Sequence, residues 1–387
     1  MMWKDFFKKY GLLIFILVVA FLLRINGVGE RQLGTDEDHS LYFSRLSVNG
    51  SLGEVLATEP HPPGYYFILG FLLKVYDSEV FLRVVTVLIG VLGILVTYFL
   101  ARELSGKESV GILTALLLAI NPMHLVYSLQ LRSYILVSLV FMIATYCLYG
   151  YIFKGKGRMV YFLGMLYVVL FYLHFYSVFL IAMHVLTVVL WRKRVEVKDF
   201  GKSLGVLLIG VIAYVPVFLR QLDYTLIQEG HLPYTGLRLI EIPYPFFKFA
   251  VMVNASVIRE QFGRLGLLVI IIFAAMLTFF CLAGAWKWIR ESENGKFAAV
   301  MFFGVFVVSL VMNPVVEFFG AGSSIYYFRY FTYLVPLYVM FIVKGIEERQ
   351  LWVRILLYGL IIVGWLVMVS FYYQISESAN WGAFIAT

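Results

Sequence analysis

Tyr65-Tyr66-Phe67-Ile68-Leu69-Gly70-Phe71-Leu72-Leu73-Lys74-Val75 is the stretch whose reading decides how this chain is threaded. It is apolar apart from Lys74, yet its eleven residues fall short of the roughly 20 that a helix needs to cross hydrocarbon. If it crossed, everything after it would invert, and Lys154-Gly155-Lys156-Gly157-Arg158 and Arg192-Lys193-Arg194 would face outward. If it stays in the interface, both clusters fall on the inner side, where short loops rich in Lys and Arg belong. The stretch therefore reads as a re-entrant or interfacial helix.

Working outward from it, apolar runs at 11–25, 80–101, 110–126, 134–153, 159–173, 177–191, 204–219, 265–288, 297–316, 330–344 and 353–372 read as about eleven transmembrane helices. Lys4, Lys8 and Lys9 hold the N-terminus inside, and alternation leaves the C-terminus outside. The chain has 387 residues, 62% hydrophobic and 14% charged. A soluble domain carries about 45–50% apolar and about 25% charged residues, so the expected class is an all-α integral membrane protein. The net charge of +8 sits in inner connectors, which argues against a nucleic-acid partner. Cys147 and Cys281 fall inside apolar runs and read as packing residues. The first run lacks a small-residue cleavage site and reads as a retained anchor.

The whole chain, 1–387, reads as one transmembrane domain with two extracytoplasmic loops. The first, 26–79, carries Asp36, Glu37, Asp38, Glu54 and Glu59, with amphipathic surface helices expected at 39–48 and 52–58. The second, 221–263, is rich in aromatics and prolines, among them Pro233 and Tyr234, and holds the sequon Asn254-Ala255-Ser256. His231 in the same loop reads as a surface residue.

On this threading, ionisable groups collect at the outward ends of the spans. They include Asp36, Glu37, His61, Arg83, Arg132, His174, Arg220 and Arg329. Such groups at membrane depth are expensive unless paired or wet, and so mark functional cavities. Carboxylates and arginines on one face suit sugar transfer from a polyprenyl phosphate. A carboxylate takes the proton of an attacking hydroxyl, and guanidinium groups receive the departing phosphate.

Leu33-Gly34-Thr35-Asp36-Glu37-Asp38, His61-Pro62-Pro63-Gly64-Tyr65-Tyr66, Arg83, Tyr127-Ser128-Leu129-Gln130-Leu131-Arg132-Ser133-Tyr134, Leu173-His174-Phe175-Tyr176-Ser177 and Phe328-Arg329-Tyr330-Phe331 with Pro336 follow one another in order. This ordered set resembles the GT-C membrane glycosyltransferases. It is most similar to the dolichyl-phosphate-mannose protein mannosyltransferases (family 39), and more distantly to aminoarabinose lipid A transferases. The resemblance implies a GT-C fold and an inverting hexosyl- or mannosyl-type transferase of the extracytoplasmic face. Its substrates would be a polyprenyl (dolichyl)-phosphate sugar donor and a protein, lipid or glycan acceptor.

Residue by residue, it places Asp36 as general base, with Glu37 assisting or, with Asp36, holding a divalent cation such as Mg or Mn. Arg132, Arg329 and Arg83 would meet the donor phosphate, and His61, Gln130, His174 and Tyr176 would line the substrate pocket. The chain departs from the family at Leu129-Gln130-Leu131, where Gln-Glu-Ala is common and supplies a carboxylate. The alternatives are a transporter or flippase, or a polymerase, of lipid-linked oligosaccharides. A transporter would usually show related halves and interrupted spans, which this sequence lacks.

Overall fold

The computed structural model describes residues 2–50, 52–59, 61–228, 237, 239–318 and 326–376; His231, Pro233 and Tyr234 lie outside them. The first half holds α1 (Met2–Ile25), α2 (Thr35–Val48), α3 (Leu52–Thr58), α4 (Gly64–Val75), α5 (Glu79–Ser105), α6 (Glu108–Ile120), α7 (Pro122–Tyr127) and α8 (Tyr134–Lys154). The second holds α9 (Met159–Leu173), α10 (Ser177–Leu190), α11 (Val197–Gln228), α12 (Tyr244–Val251), α13 (Ala255–Glu291), α14 (Glu293–Phe318), α15 (Val335–Ile346) and α16 (Leu351–Ser376). A 3-10 helix, Phe328–Leu334, leads into α15. No strand occurs among the described residues. Among the described residues seven helical stretches are long and apolar enough to cross a membrane, and α4, α6, α9 and α10 are shorter apolar helices. This is a multi-pass membrane protein.

The connectors sort themselves to two ends of the bundle. At one end Lys107 Nζ meets Glu347 Oε1 at 2.6 Å, Lys154 meets Glu103 at 3.3 Å, Lys287 pairs with Glu348, and Trp191 Nε1 donates to Glu293 at 2.9 Å. The basic clusters at 154–158 and 192–194 thus share that end. The first loop lies at the other.

α4 does not cross. Twelve residues at 1.5 Å rise reach only about 18 Å, and both ends of α4 stay with the first loop. Gly64 packs on the Tyr172 carbonyl at the end of α9. Just past the other end, Asp77 Oδ1 accepts from Arg45 Nη2 of α2 at 3.3 Å. The surface helices α2 and α3 also form where their amphipathic patterns place them.

One expected span is interrupted. The apolar run 110–126 is α6 followed by α7, broken at Asn121-Pro122. The Asn121 side chain accepts from His124 N at 3.0 Å, and Pro122 begins the new helix. Arg24, buried at the end of α1, secures this break. Its Nη1 donates to Ala119 O at 2.8 Å, and its Nη2 meets His124 Nδ1 at 3.0 Å. In the second loop Asn254 is buried, and its Oδ1 accepts from Lys248 Nζ, so the folded chain does not present the sequon. Burial also pushes the Lys248 ammonium down to about 7.

α13 bends at Gly263 (φ 69°), then packs face to face on α15 through Gly284 and Gly345. A Cβ on Gly284 would stand 2.0 Å from Phe341 O, and one on Gly345 2.2 Å from Phe280 O. Both obstacles are backbone, so neither can yield. Gly284→Ala is expected to cost about 1–3 kcal/mol and to lower the unfolding midpoint in detergent. Gly359→Ala, with nothing within 4 Å of the added carbon, should leave it unchanged.

Candidate active site

The site is built on the first turn of α2. Asp36, Glu37 and Asp38 sit at the positive end of the helix. Successive helical residues point about 100° apart, so the two carboxylates at 36 and 37 part company. Glu37 turns inward and is sealed. Asp36 turns outward and is half exposed.

Both oxygens of Glu37 are engaged. Oε2 accepts from Gly34 N at 3.1 Å and from Arg31 Nη2 at 3.4 Å. Oε1 accepts from Leu131 N at 3.0 Å and lies 3.8 Å from Arg83. Arg83 is buried behind it, donating from Nη1 to Arg31 O at 2.7 Å and Val28 O at 3.3 Å, and from Nη2 to Gln32 O at 3.4 Å. Its Nη hydrogens are thus directed at the first loop, and it tethers that loop to α5. Glu37 in turn ties the loop to the turn between α7 and α8, in which Gln130 is also buried.

That tether brings two arginines to Asp36. Arg329 Nη1 donates to Asp36 Oδ2 at 2.7 Å, while Nη2 reaches Tyr327 OH at 3.1 Å and the guanidinium stacks 4.6 Å over the Tyr327 ring. Arg132 Nη1 donates to Asp36 O at 3.3 Å and Ser40 Oγ at 3.1 Å. Residues 293 positions apart thus meet in one ion pair.

Behind the arginines lies a buried aromatic cluster, the candidate chamber for a ligand. The His174 ring stands 5.6 Å from Tyr134, 5.2 Å from Tyr330, 6.2 Å from Tyr333 and 6.1 Å from His61. His174 Nδ1 accepts from Tyr176 N at 3.2 Å, which puts the ring proton on Nε2. Burial, with His61, Arg132 and Arg329 nearby, holds His174 well below the usual imidazole range and therefore neutral. Its Nε2 finds no partner among the described residues, and neither do the hydroxyls of Tyr65, Tyr127 and Tyr333 or Nε of Arg329. Each such buried atom costs about 1–3 kcal/mol when left unmatched. Tyr176 is turned the other way: its hydroxyl meets Ser309 Oγ at 2.5 Å, and its ring backs Tyr330 at 5.2 Å.

Sequence reasoning passed over Glu59 and His39. Glu59 is sealed from solvent, with His39 Nε2 at 2.5 Å from Oε2, and His61 Nδ1 at 2.6 Å and Tyr66 OH at 2.9 Å from Oε1. Burial raises its proton affinity, but the hydrogen bonds from His39 and His61 outweigh burial and hold the carboxyl below the usual range. The only available signal was a lone Glu two residues before His61.

As a metal site the carboxylates fit poorly. Asp36 is held by Arg329, both Glu37 oxygens are taken, and no group of three or more His, Cys, Asp or Glu able to hold a metal gathers among the described residues. No step below is routed through a metal.

Removing the Glu37 carboxylate would leave Arg31 and Arg83 buried against each other. Glu37→Ala is therefore expected to cost about 3–5 kcal/mol, read as a lower unfolding midpoint in detergent. Asp38→Ala, on an exposed side chain of the same turn, should stay within about 0.5 kcal/mol.

A sequence profile of the dolichyl-phosphate-mannose-protein mannosyltransferases matches residues 60–219. No curated protein matches the chain by sequence. Among solved structures, ArnT from Cupriavidus metallidurans bound to undecaprenyl phosphate superposes with a TM-score of 0.60 at 16% identity, covering 88% of this chain and 61% of that one. The apo oligosaccharyltransferase of Archaeoglobus fulgidus gives 0.55 at 14% identity, covering 98% and 57%. AglB of the same organism, in complex with an inhibitory peptide and a dolichol-phosphate, gives 0.50 at 15%, covering 96% and 56%. The chain thus spans about three fifths of the length of these structures. It has the fold of the GT-C membrane glycosyltransferases, and over residues 60–219 it is similar to the dolichyl-phosphate-mannose-protein mannosyltransferases.

Proposed function

We propose that the chain transfers a hexose, mannose being what the profile match favours, from a polyprenyl-phosphate donor to an acceptor hydroxyl. The observation that carries this reading is the meeting of Asp36 with Arg329 at 2.7 Å and Arg132 at 3.3 Å beside the aromatic chamber. The undecaprenyl phosphate and dolichol-phosphate held by the ArnT and AglB structures support a lipid phosphate as the leaving group. The end of the bundle opposite the basic connectors faces outward on the charge rule. That puts the reaction on the extracytoplasmic face, with the N-terminus inside.

In this reading the acceptor oxygen attacks the anomeric carbon as the bond to the phosphate oxygen breaks. The acceptor proton passes to Asp36, the bonding electrons leave with the lipid phosphate, and the sugar is inverted. Arg329 and Arg132 receive the phosphate, Arg329 with a planar fork suited to paired oxygens. His174 Nε2–H and the unmatched tyrosine hydroxyls offer the sugar its hydrogen bonds. Glu37 and Arg83 act one step back, fixing the turn that carries Asp36. His61 and Gln130 border the pocket.

Arg329 cannot hold the donor phosphate with the same N–H that holds Asp36. In this reading the phosphate, which becomes the more highly charged anion as the sugar leaves, takes the Nε–H that has no partner among the described residues and draws the Nη1 N–H off the carboxylate, which frees the base when it is needed. Asp36→Asn should lower sugar transfer in sealed vesicles by about 10²–10⁴-fold without weakening polyprenyl-phosphate binding. Transfer that persists at the wild-type rate would contradict the role of Asp36. A lipid translocation activity indifferent to the change would favour a transporter.

A further inference from the structure

Glu59 stands apart from the ion pair just described, yet it has more partners than packing requires. Its carboxylate is fully buried and joins three parts of the chain, and its backbone carbonyl joins a fourth. His39 reaches it from α2, and the backbone N–H and Nδ1 of His61 from the connector at 3.1 and 2.6 Å. Tyr66 reaches it from α4. From α11, Gln221 Nε2 donates to the Glu59 carbonyl at 2.6 Å and to the His61 carbonyl at 3.3 Å. Both imidazoles thus spend one nitrogen on the same anion.

A carboxylate that binds one imidazole nitrogen fixes the tautomer and aims the other nitrogen. It also offsets the charge when the ring takes up a proton. For His39 the aimed atom is Nδ1, and for His61 it is Nε2. His39 lies one helical turn past Asp36, on a neighbouring face of α2. The His61 ring lies 6.1 Å from that of His174. One sealed carboxylate therefore sets two rings, one on α2 beyond Asp36 and one beside His174.

We propose that Glu59 is a positioning residue of the transfer site, which acts through His39 and His61 to hold one ring nitrogen of each toward the bound donor and acceptor. The proposal rests on the reading of the chamber as a sugar-transfer site. It takes no proton from substrate and touches none.

The test is a double-mutant cycle on the full chain in lipid vesicles, with donor KM and kcat measured for wild type, Glu59→Gln, His61→Ala and the pair. Binding of polyprenyl phosphate to wild type is measured separately. Glu59→Gln should raise donor KM about tenfold with a smaller effect on kcat. In the His61→Ala background the same change should add only about threefold, because one of the two rings it aims is gone while His39 remains. Glu59→Asp, one carbon short of both rings, should not rescue. An equal effect of Glu59→Gln in both backgrounds marks a merely structural carboxylate and overturns the proposal. If Glu59→Gln does not fold, the cycle between His39→Ala and His61→Ala takes its place. Rings that meet through Glu59 should be non-additive there, and additivity overturns the proposal. Wild type that neither binds polyprenyl phosphate nor transfers sugar removes the chamber reading, and the proposal with it. Wild type that does both while the cycle shows no coupling removes the role of Glu59 alone.

Discussion

A carboxylate buried at the edge of a membrane must be matched by cations and N–H groups or it will not stay ionised and in place. Glu37 is matched by Arg31 and Arg83 and by the amides of Gly34 and Leu131. Those partners come from the first loop, from α5 and from the turn before α8. One side chain therefore stitches three parts of the outward end together. Asp36 is its neighbour in the chain and inherits the placement. Asp36 can stay half exposed because the adjacent carboxylate is sealed.

The same economy runs through the rest of the site. Arg83 spends its Nη hydrogen bonds on loop carbonyls, while Arg329 and Arg132 gather at Asp36. Tyr176 spends its hydroxyl on Ser309 and stiffens Tyr330. His174 spends Nδ1 on a backbone amide and keeps Nε2–H for the chamber. In each case one polar atom anchors the side chain so that another atom, or a neighbouring residue, is presented. Five buried polar atoms without partners among the described residues, on Tyr65, Tyr127, His174, Arg329 and Tyr333, belong to this region.

Much of this was legible in the residues. Apolar runs give the spanning helices because hydropathy and length are local properties. The interfacial reading of α4 came from its length and from charge, and in the structure its ends meet Tyr172 and, through Asp77, Arg45. The meeting of Asp36 with Arg132 and Arg329 was foreseen from threading plus family resemblance. Partners were not legible. Arg83 looked like a phosphate ligand because a sequence shows a charge but not the carbonyls that occupy it. Glu37 looked like a second reactive carboxylate for the same reason. Glu59 and His39, twenty residues apart, carry no periodic signal and meet only once α2 and α4 pack. The break at Asn121-Pro122 was hidden because the apolar run continues through it.

The account stands most directly on where the lipid phosphate sits. A structure of the full chain in a lipid nanodisc with polyprenyl phosphate bound should place the phosphate within hydrogen-bonding distance of the Arg329 guanidinium and beside Arg132. Arg329 Nη1 should then have left Asp36 Oδ2. A phosphate bound elsewhere, with the Asp36–Arg329 pair intact, would contradict it.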